Sequence, residues 1–188
     1  MTLCLLLLAF FVSQGPLPHV VVETDLGEIE IEVDTLHAPA TAANFLKYVD
    51  GRMYDGGRFH RTVKMDNQPD KDIKIEVVQA GASAARTREF LPPIALERTS
   101  VTTLTHGDGV VSMARGAPDT ARDQFFICIG KQAELDFGGK RNPDGQGFAA
   151  FGRVVRGMDV VRKIQASPAQ AQNLTPPVAI LRMSRKLP

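Results

Sequence analysis

The strongest constraint on how this chain folds is an apolar-polar alternation of period two that returns at short intervals from residue 19 onward. Val20-Val21-Val22-Glu23-Thr24 runs through a turn at Asp25-Leu26-Gly27 into Glu28-Ile29-Glu30-Ile31-Glu32-Val33, the pattern of a β-hairpin. Successive side chains of a strand point to opposite faces, so Ile29, Ile31 and Val33 are expected in a core and Glu28, Glu30 and Glu32 on a solvated face. Residues 58–63, 73–79, 110–114, 125–129, 149–155 and 178–182 read as further strands. Two stretches carry the helical period instead. Ala38-Pro39 opens a helix in which Ala42, Phe45, Leu46 and Val49 share a face and which Gly51 closes, and residues 159–165 place Val160, Val161 and Ile164 on one side. In 188 residues, enough for one domain, eight short strands and two helices predict a mainly β fold. The expected architecture is a closed eight-stranded antiparallel barrel capped by the two helices, with a two-sheet sandwich as the alternative. Residues 65–72, 81–109 and 130–147 follow neither period and are expected as loops; the acidic and amide cluster in the first of these reads as a solvated turn.

Charge and cysteine content exclude several functions. With 22 Lys+Arg against 21 Asp+Glu the chain has no bulk field to hold nucleic acid or an anionic membrane. Its two cysteines, Cys4 and Cys128, make neither a CxxC pair nor a four-ligand zinc set, and Cys128 sits in the apolar run Phe125-Phe126-Ile127-Cys128-Ile129 as an inert thiol. No metal and no cofactor are expected. The apolar run of residues 3–12, followed by Ser13-Gln14-Gly15-Pro16, is too short to span a bilayer and has the length of a secretory signal. Residues 1–18 are therefore read as a signal peptide or N-terminal apolar segment and 19–188 as the domain. On this reading the protein is exported, a monomer, and touches a membrane only if the segment stays uncleaved.

Conventional catalytic sets are missing. There is no G-x-S-x-G elbow, no H-E-x-x-H, no Walker loop and no G-x-G-x-x-G, and His19, His37, His60 and His106 have no metal-ligand spacing. A hydrolase would have to combine His106 with Asp108 or Glu97. What remains is an arginine and amides beside aromatic and aliphatic residues on strands: Phe59-His60-Arg61, Val77-Val78-Gln79-Ala80-Gly81, Ser112-Met113-Ala114-Arg115 and Gln124-Phe125-Phe126-Ile127. On composition alone Arg61 is as readily a surface ion-pair partner, and Phe126 plain core.

In this order, with Ala43-Asn44-Phe45 before them and Phe151-Gly152-Arg153-Val154 and Gly157-Met158-Asp159-Val160-Val161 after them, the motifs resemble the cyclophilin-type peptidyl-prolyl cis-trans isomerases over residues 20–165. That resemblance implies an eight-stranded barrel with a helix at each end and an enzyme that isomerises X-Pro bonds in proline-containing peptides or unfolded proteins, assisting folding. It implies Arg61 as the catalytic residue, Gln79 as the holder of the peptide backbone, and Phe126 as the aromatic on which the proline ring sits. Val77 and Leu135 follow as pocket walls, with Ala114, Arg115, Gln124 and Phe148 along the groove; His60 is expected to pack under the barrel. A non-catalytic proline-peptide-binding module on the same fold is the alternative.

The sequence departs from the family pattern in five places. Arg61 and Gln79 stand about ten residues further apart than is usual, so residues 65–72 read as an insertion. Glu76 precedes Val77 where the family has an apolar pair, which predicts a less apolar wall. Glu134 stands beside Leu135 in place of an aromatic, and Phe148 in place of a pocket histidine. Residues 137–147, with a turn at Asn142-Pro143-Asp144-Gly145, form a second insertion beside the groove.

Overall fold

A computed structural model describes residues 15–186, so the apolar run at residues 3–12 and Cys4 lie outside the described residues. Nine strands are present: β1 His19–Thr24, β2 Gly27–Val33, β3 Arg58–Val63, β4 Val77–Gly81, β5 Val110–Met113, β6 Phe125–Cys128, β7 Ala149–Arg156, β8 Ala169–Gln170 and β9 Asn173–Arg185. They are antiparallel throughout and lie side by side in the order β1-β2-β7-β5-β6-β4-β3-β9, and β9 pairs back onto β1. That last pairing closes eight strands into a barrel and sets the sandwich aside; β8 is a two-residue stub on β9. Helices α1 (Pro39–Asp50) and α3 (Met158–Ala166) pack on the barrel, α1 against β7 and β9 and α3 against β2, β3 and β4. A third helix, α2, is one turn at Thr99–Thr102.

The interior is the one the alternation predicts. Val20, Val22, Ile29, Ile31, Phe59, Val78, Val111, Phe125, Ile127 and Phe151 are fully buried, and Phe45 of α1 drives its ring among Tyr54, Phe125 and Phe151 at centroid distances of 5.6, 5.5 and 4.9 Å. Burial of this apolar set is the main stabilising contribution. Alternate residues on β3, β4 and β6 point outward and build a second, smaller cluster outside the barrel: Val63, Ile75, Val77, Phe126, Cys128 and Leu135. The barrel thus has an apolar patch on one outer wall, and Cys128, whose thiol burial pushes up, is locked within it.

Three sequence expectations change. Glu30 is buried rather than solvated: its carboxylate takes His19 Nδ1 at 2.7 Å and Lys186 Nζ at 2.9 Å, with Arg156 at 3.3 Å, pinning the start of β1 and the end of β9 beside the seam. The Lys186 and His19 hydrogen bonds hold its pKa below the usual carboxylate value. Residues 73–76 are not strand, because the insertion before them supplies side-chain partners in place of a neighbouring strand. Gln68, 1 % exposed, donates Nε2 to the carbonyls of Lys64 and Ile75 and accepts from the Ile75 amide. Residues 65–72 are a turn with Asp66, Asp70 and Asp72 exposed as expected, but Gln68 within it is a buried staple rather than solvated. Asn67 adds to it, accepting from the Lys64 amide and donating to the carbonyls of Thr62 and Ala171.

Replacing Gln68 by leucine keeps the volume and strands the Ile75 amide and carbonyl, while the Lys64 carbonyl keeps the Asn67 amide. A buried unsatisfied group costs about 1–3 kcal/mol, so Gln68→Leu is expected to lower the unfolding free energy by at least about 2 kcal/mol in a urea titration; an unchanged midpoint would refute the staple.

Candidate active site

Strand β3 carries the feature that makes the site. Phe59 pairs with Ala80 and Arg61 with Gln79, so two steps along β3 match one along β4, and His60 is the extra residue of a bulge. The register against β9 also shifts between Phe59 and Arg61, but there the surplus residues are on β9, whose partners run from Val178 to Asn173. In a regular strand Phe59 and Arg61 would share a face; the bulge sends Phe59 into the core and leaves Arg61 on the outer wall, half-buried. His60 lies half-buried beside Arg58 and Asp123 on the outside, not under the barrel as expected.

Arg61, Gln79 and Phe126 then stand abreast on β3, β4 and β6, since Arg61 pairs with Gln79 and Gln79 with Phe126. Arg61 Nη1 donates to Gln79 Oε1 at 3.0 Å, and Gln79 Nε2 donates to Gln124 Oε1 at 2.7 Å. Arg61 Nε and Nη2 both donate to Gln172 Oε1, at 2.9 and 2.6 Å. Every acceptor on the guanidinium is therefore a neutral amide. Burial pushes the Arg61 pKa down, yet an arginine remains cationic at any working pH.

Arg61, Val77, Gln79, Ala114, Arg115, Phe126, Leu135 and Phe148 all line one cavity of about 320 Å³. Gln124 lies outside it and lines an adjoining cavity of about 240 Å³, which shares Gln79, Ala114 and Arg115. Phe126 is the floor: its ring meets Phe148 edge-on at 5.4 Å and stacks on His106 at 6.1 Å. His106 is held by Asp136 Oδ1 at 2.7 Å and Ser112 Oγ at 3.0 Å. These three have the connectivity of a hydrolase triad, but Ser112 and His106 are 0 % and 1 % exposed, so no substrate carbonyl reaches the hydroxyl. They support Phe126 instead. Glu97 receives the first amides of α1, from Ala40 and Thr41, and Asp108 pairs with Arg162 at 2.8 Å, which removes both other members of the hydrolase reading.

Arg115 turns out to be a strut. Its side chain is 1 % exposed, bonded to Asp144 at 2.7 and 3.0 Å and to the Gly147 carbonyl, with its guanidinium 5.1 Å from the Phe148 ring centre. It fastens the second insertion to the end of β5. Gly147 follows from the close approach there: at φ 65° its Cβ would lie 2.6 Å from the Asp136 carbonyl carbon. The expected turn is present, the Gly145 amide bonding the Asn142 carbonyl at 3.0 Å. Glu76 does not roughen the pocket, because its carboxylate takes Gln165 Nε2 on α3 at 3.1 Å; Glu134 takes the Lys140 amide.

Neither motif nor periodicity singles out Gln172, Lys71 or Arg141, although the first holds Arg61 and the other two line the cavity. Gln172 lies just before β9 at a turn where Ala171 has φ 53°, and no periodicity marks it. Its Nε2 donates to the Asn67 carbonyl at 3.1 Å, so the first insertion braces the residue that braces Arg61.

A family model for the cyclophilin type peptidyl-prolyl cis-trans isomerases matches residues 19–185. Peptidyl-prolyl cis-trans isomerase A of Dickeya dadantii is 35% identical over 161 residues, covering 84% of this chain and 75% of the relative. A peptidyl-prolyl cis-trans isomerase of Acinetobacter baylyi is 33% identical over 166 residues, 87% of this chain and 81% of the relative. In three dimensions the chain superposes on a cyclophilin type isomerase of Cryptosporidium parvum with a TM-score of 0.73 at 18% identity, over 92% of this chain and 99% of the other. That protein crystallised in the presence of the dipeptide Ala-Pro gives 0.71 at 18% identity, over 90% and 99%.

The Arg115 hydrogen bond holds the Asp144 carboxyl down at about 2. A carboxylate with a depressed folded-state pKa stabilises above its ordinary value of 3.8 and loses that contribution as pH falls toward 2. A carbon-13 NMR titration is expected to place the Asp144 midpoint near 2 in the wild type and to move it up in Arg115→Ala; the same midpoint in both proteins would remove the strut.

Proposed function

The chain belongs to the cyclophilin-type peptidyl-prolyl cis-trans isomerase family, and we propose that Arg61 carries its isomerase activity by hydrogen bonding to the prolyl nitrogen in the twisted transition state. An X-Pro bond resists rotation by about 18–20 kcal/mol because the nitrogen lone pair is delocalised into the carbonyl. In the twisted state that conjugation is broken, and the nitrogen turns pyramidal and accepts a hydrogen bond that the planar amide cannot. A cation fixed beside it stabilises the transition state more than the ground state, which is the condition for raising the rate.

The observation that carries this reading is the partner set of Arg61 among the described residues: two amide oxygens, from Gln79 and Gln172, and no carboxylate. Those bonds use three of the guanidinium N–H groups and leave two of the five for a substrate. A carboxylate partner would hold the fork more tightly and cancel its charge. Phe126, with Val77 and Leu135 beside it, provides an apolar seat for the proline ring, and Gln79 and Gln124 supply amide groups to an extended backbone crossing from one cavity to the other. The substrates are proline-containing segments of unfolded or extended proteins, in line with the Ala-Pro dipeptide of the C. parvum crystal, and slow X-Pro isomerisation in folding chains is the step accelerated. The apolar run of residues 3–12 supports action outside the cytoplasm, which N-terminal sequencing of the mature protein tests.

In an NMR exchange assay on a proline peptide, Arg61→Ala is expected to lower kcat/KM at least about tenfold, or about 1.4 kcal/mol of barrier; equal rates would refute the role of Arg61. Gln172→Glu places a carboxylate against the same guanidinium and is expected to slow turnover with the peptide affinity retained. A Gln172→Glu enzyme as fast as the wild type would show that the neutrality of the acceptor is irrelevant.

A further inference from the structure

We propose that the groove selects proline segments carrying an acidic side chain on one flank of the proline, held by Lys71 and Arg141 of the two insertions. This rests on the reading of the Phe126 cavity as the substrate groove.

The cavity is lined by four cationic side chains, Arg61, Lys71, Arg115 and Arg141, and by no Asp or Glu. Arg115 is neutralised by Asp144. Among the described residues no carboxylate lies within 4.0 Å of the other three. The whole chain carries only +1, so this is a matter of placement and not of composition. Arg141 spends one nitrogen on neutral acceptors, donating Nη1 to Gln68 Oε1 at 2.7 Å and to the Ile73 carbonyl. Burial and then the charge of Arg61 push its pKa below the ordinary value, the sign of like charges crowded in a half-dry site. A bound anion relieves that repulsion, and a carboxylate is the peptide group that does so.

Placement also fixes the flank. The adjoining cavity, which shares the Gln79, Ala114 and Arg115 wall, contains neither Lys71 nor Arg141, and there Arg122 is accompanied by Asp123. A segment crossing both cavities meets unbalanced positive charge at one end only.

The test is binding, read by fluorescence anisotropy of labelled competitor, of amidated and N-acetylated peptides with Glu, Gln or Lys immediately before or after one proline, at low ionic strength. On one flank Glu is expected to bind about fivefold tighter than Gln, with Lys weakest, and molar salt should erase the difference. Lys71→Glu is expected to invert the order on that flank and leave the other flank alone; its melting temperature checks the fold. Equal affinities for Glu and Gln on both flanks, or a preference indifferent to Lys71→Glu, overturn the proposal. A neutral peptide with a free C-terminal carboxylate is a separate arm: if it gains affinity and the Glu peptides do not, the anion is a chain end and the side-chain assignment fails. Because binding is read apart from turnover, an Arg61→Ala enzyme of unchanged rate would sink the catalytic reading and leave the charge preference measurable. Failure of every peptide to bind overturns both.

Discussion

One extra residue in β3 decides which side of the barrel receives the arginine. With the bulge at His60, Phe59 completes the core and Arg61 emerges on the outer wall opposite Gln79. Without it, the strict alternation of the strand would leave the two on the same side, where a guanidinium would have to share the dry interior with Phe125 and Phe151 or the core would lose an aromatic. Either arrangement is costly: an uncompensated charge in an apolar interior loses its hydration, and a vacated aromatic position leaves a cavity. The register against β9 breaks at the same point, with the surplus residues on β9. From the bulge follow the row Arg61, Gln79 and Phe126, the outer apolar cluster, and the groove between them.

The barrel was legible because it rests on repetition. Alternation in residues 20–33, 110–114 and 149–155 and the shared faces of the two helices are signals summed over many residues, and all of these elements are present where expected. Arg61, Gln79, Phe126 and the pocket walls were legible through motif order, and they share one groove. What the sequence hid consists of single contacts. Glu30 looks like its neighbours Glu28 and Glu32, yet the barrel seam brings His19 and Lys186 to it from residues 11 and 156 positions away. Gln68 reads as part of a polar run, and only the fold of the loop reveals that its amide replaces a strand partner for Ile75. Gln172 reaches Arg61 across 111 residues, a separation at which no local pattern reports.

The groove joins two electrostatic arrangements. At Arg61, a cation is surrounded by amide oxygens that orient it and leave its charge intact. Beside it, Asp144 neutralises Arg115 so thoroughly that this arginine acts as a mechanical part, while Arg141 and Lys71 have no carboxylate partner among the described residues. Four side chains with the same formal charge thus stand in different surroundings, set by the acceptors each one finds.

The two insertions are bonded to each other: Arg141 of the second reaches Gln68 and the Ile73 carbonyl beside the first. Trimming either loop removes the Arg141 bonds that join them, although each keeps hydrogen bonds of its own, so the rim is cross-braced between segments some seventy residues apart. Transplanting this rim onto a shorter barrel with its bracing intact requires moving the pair together.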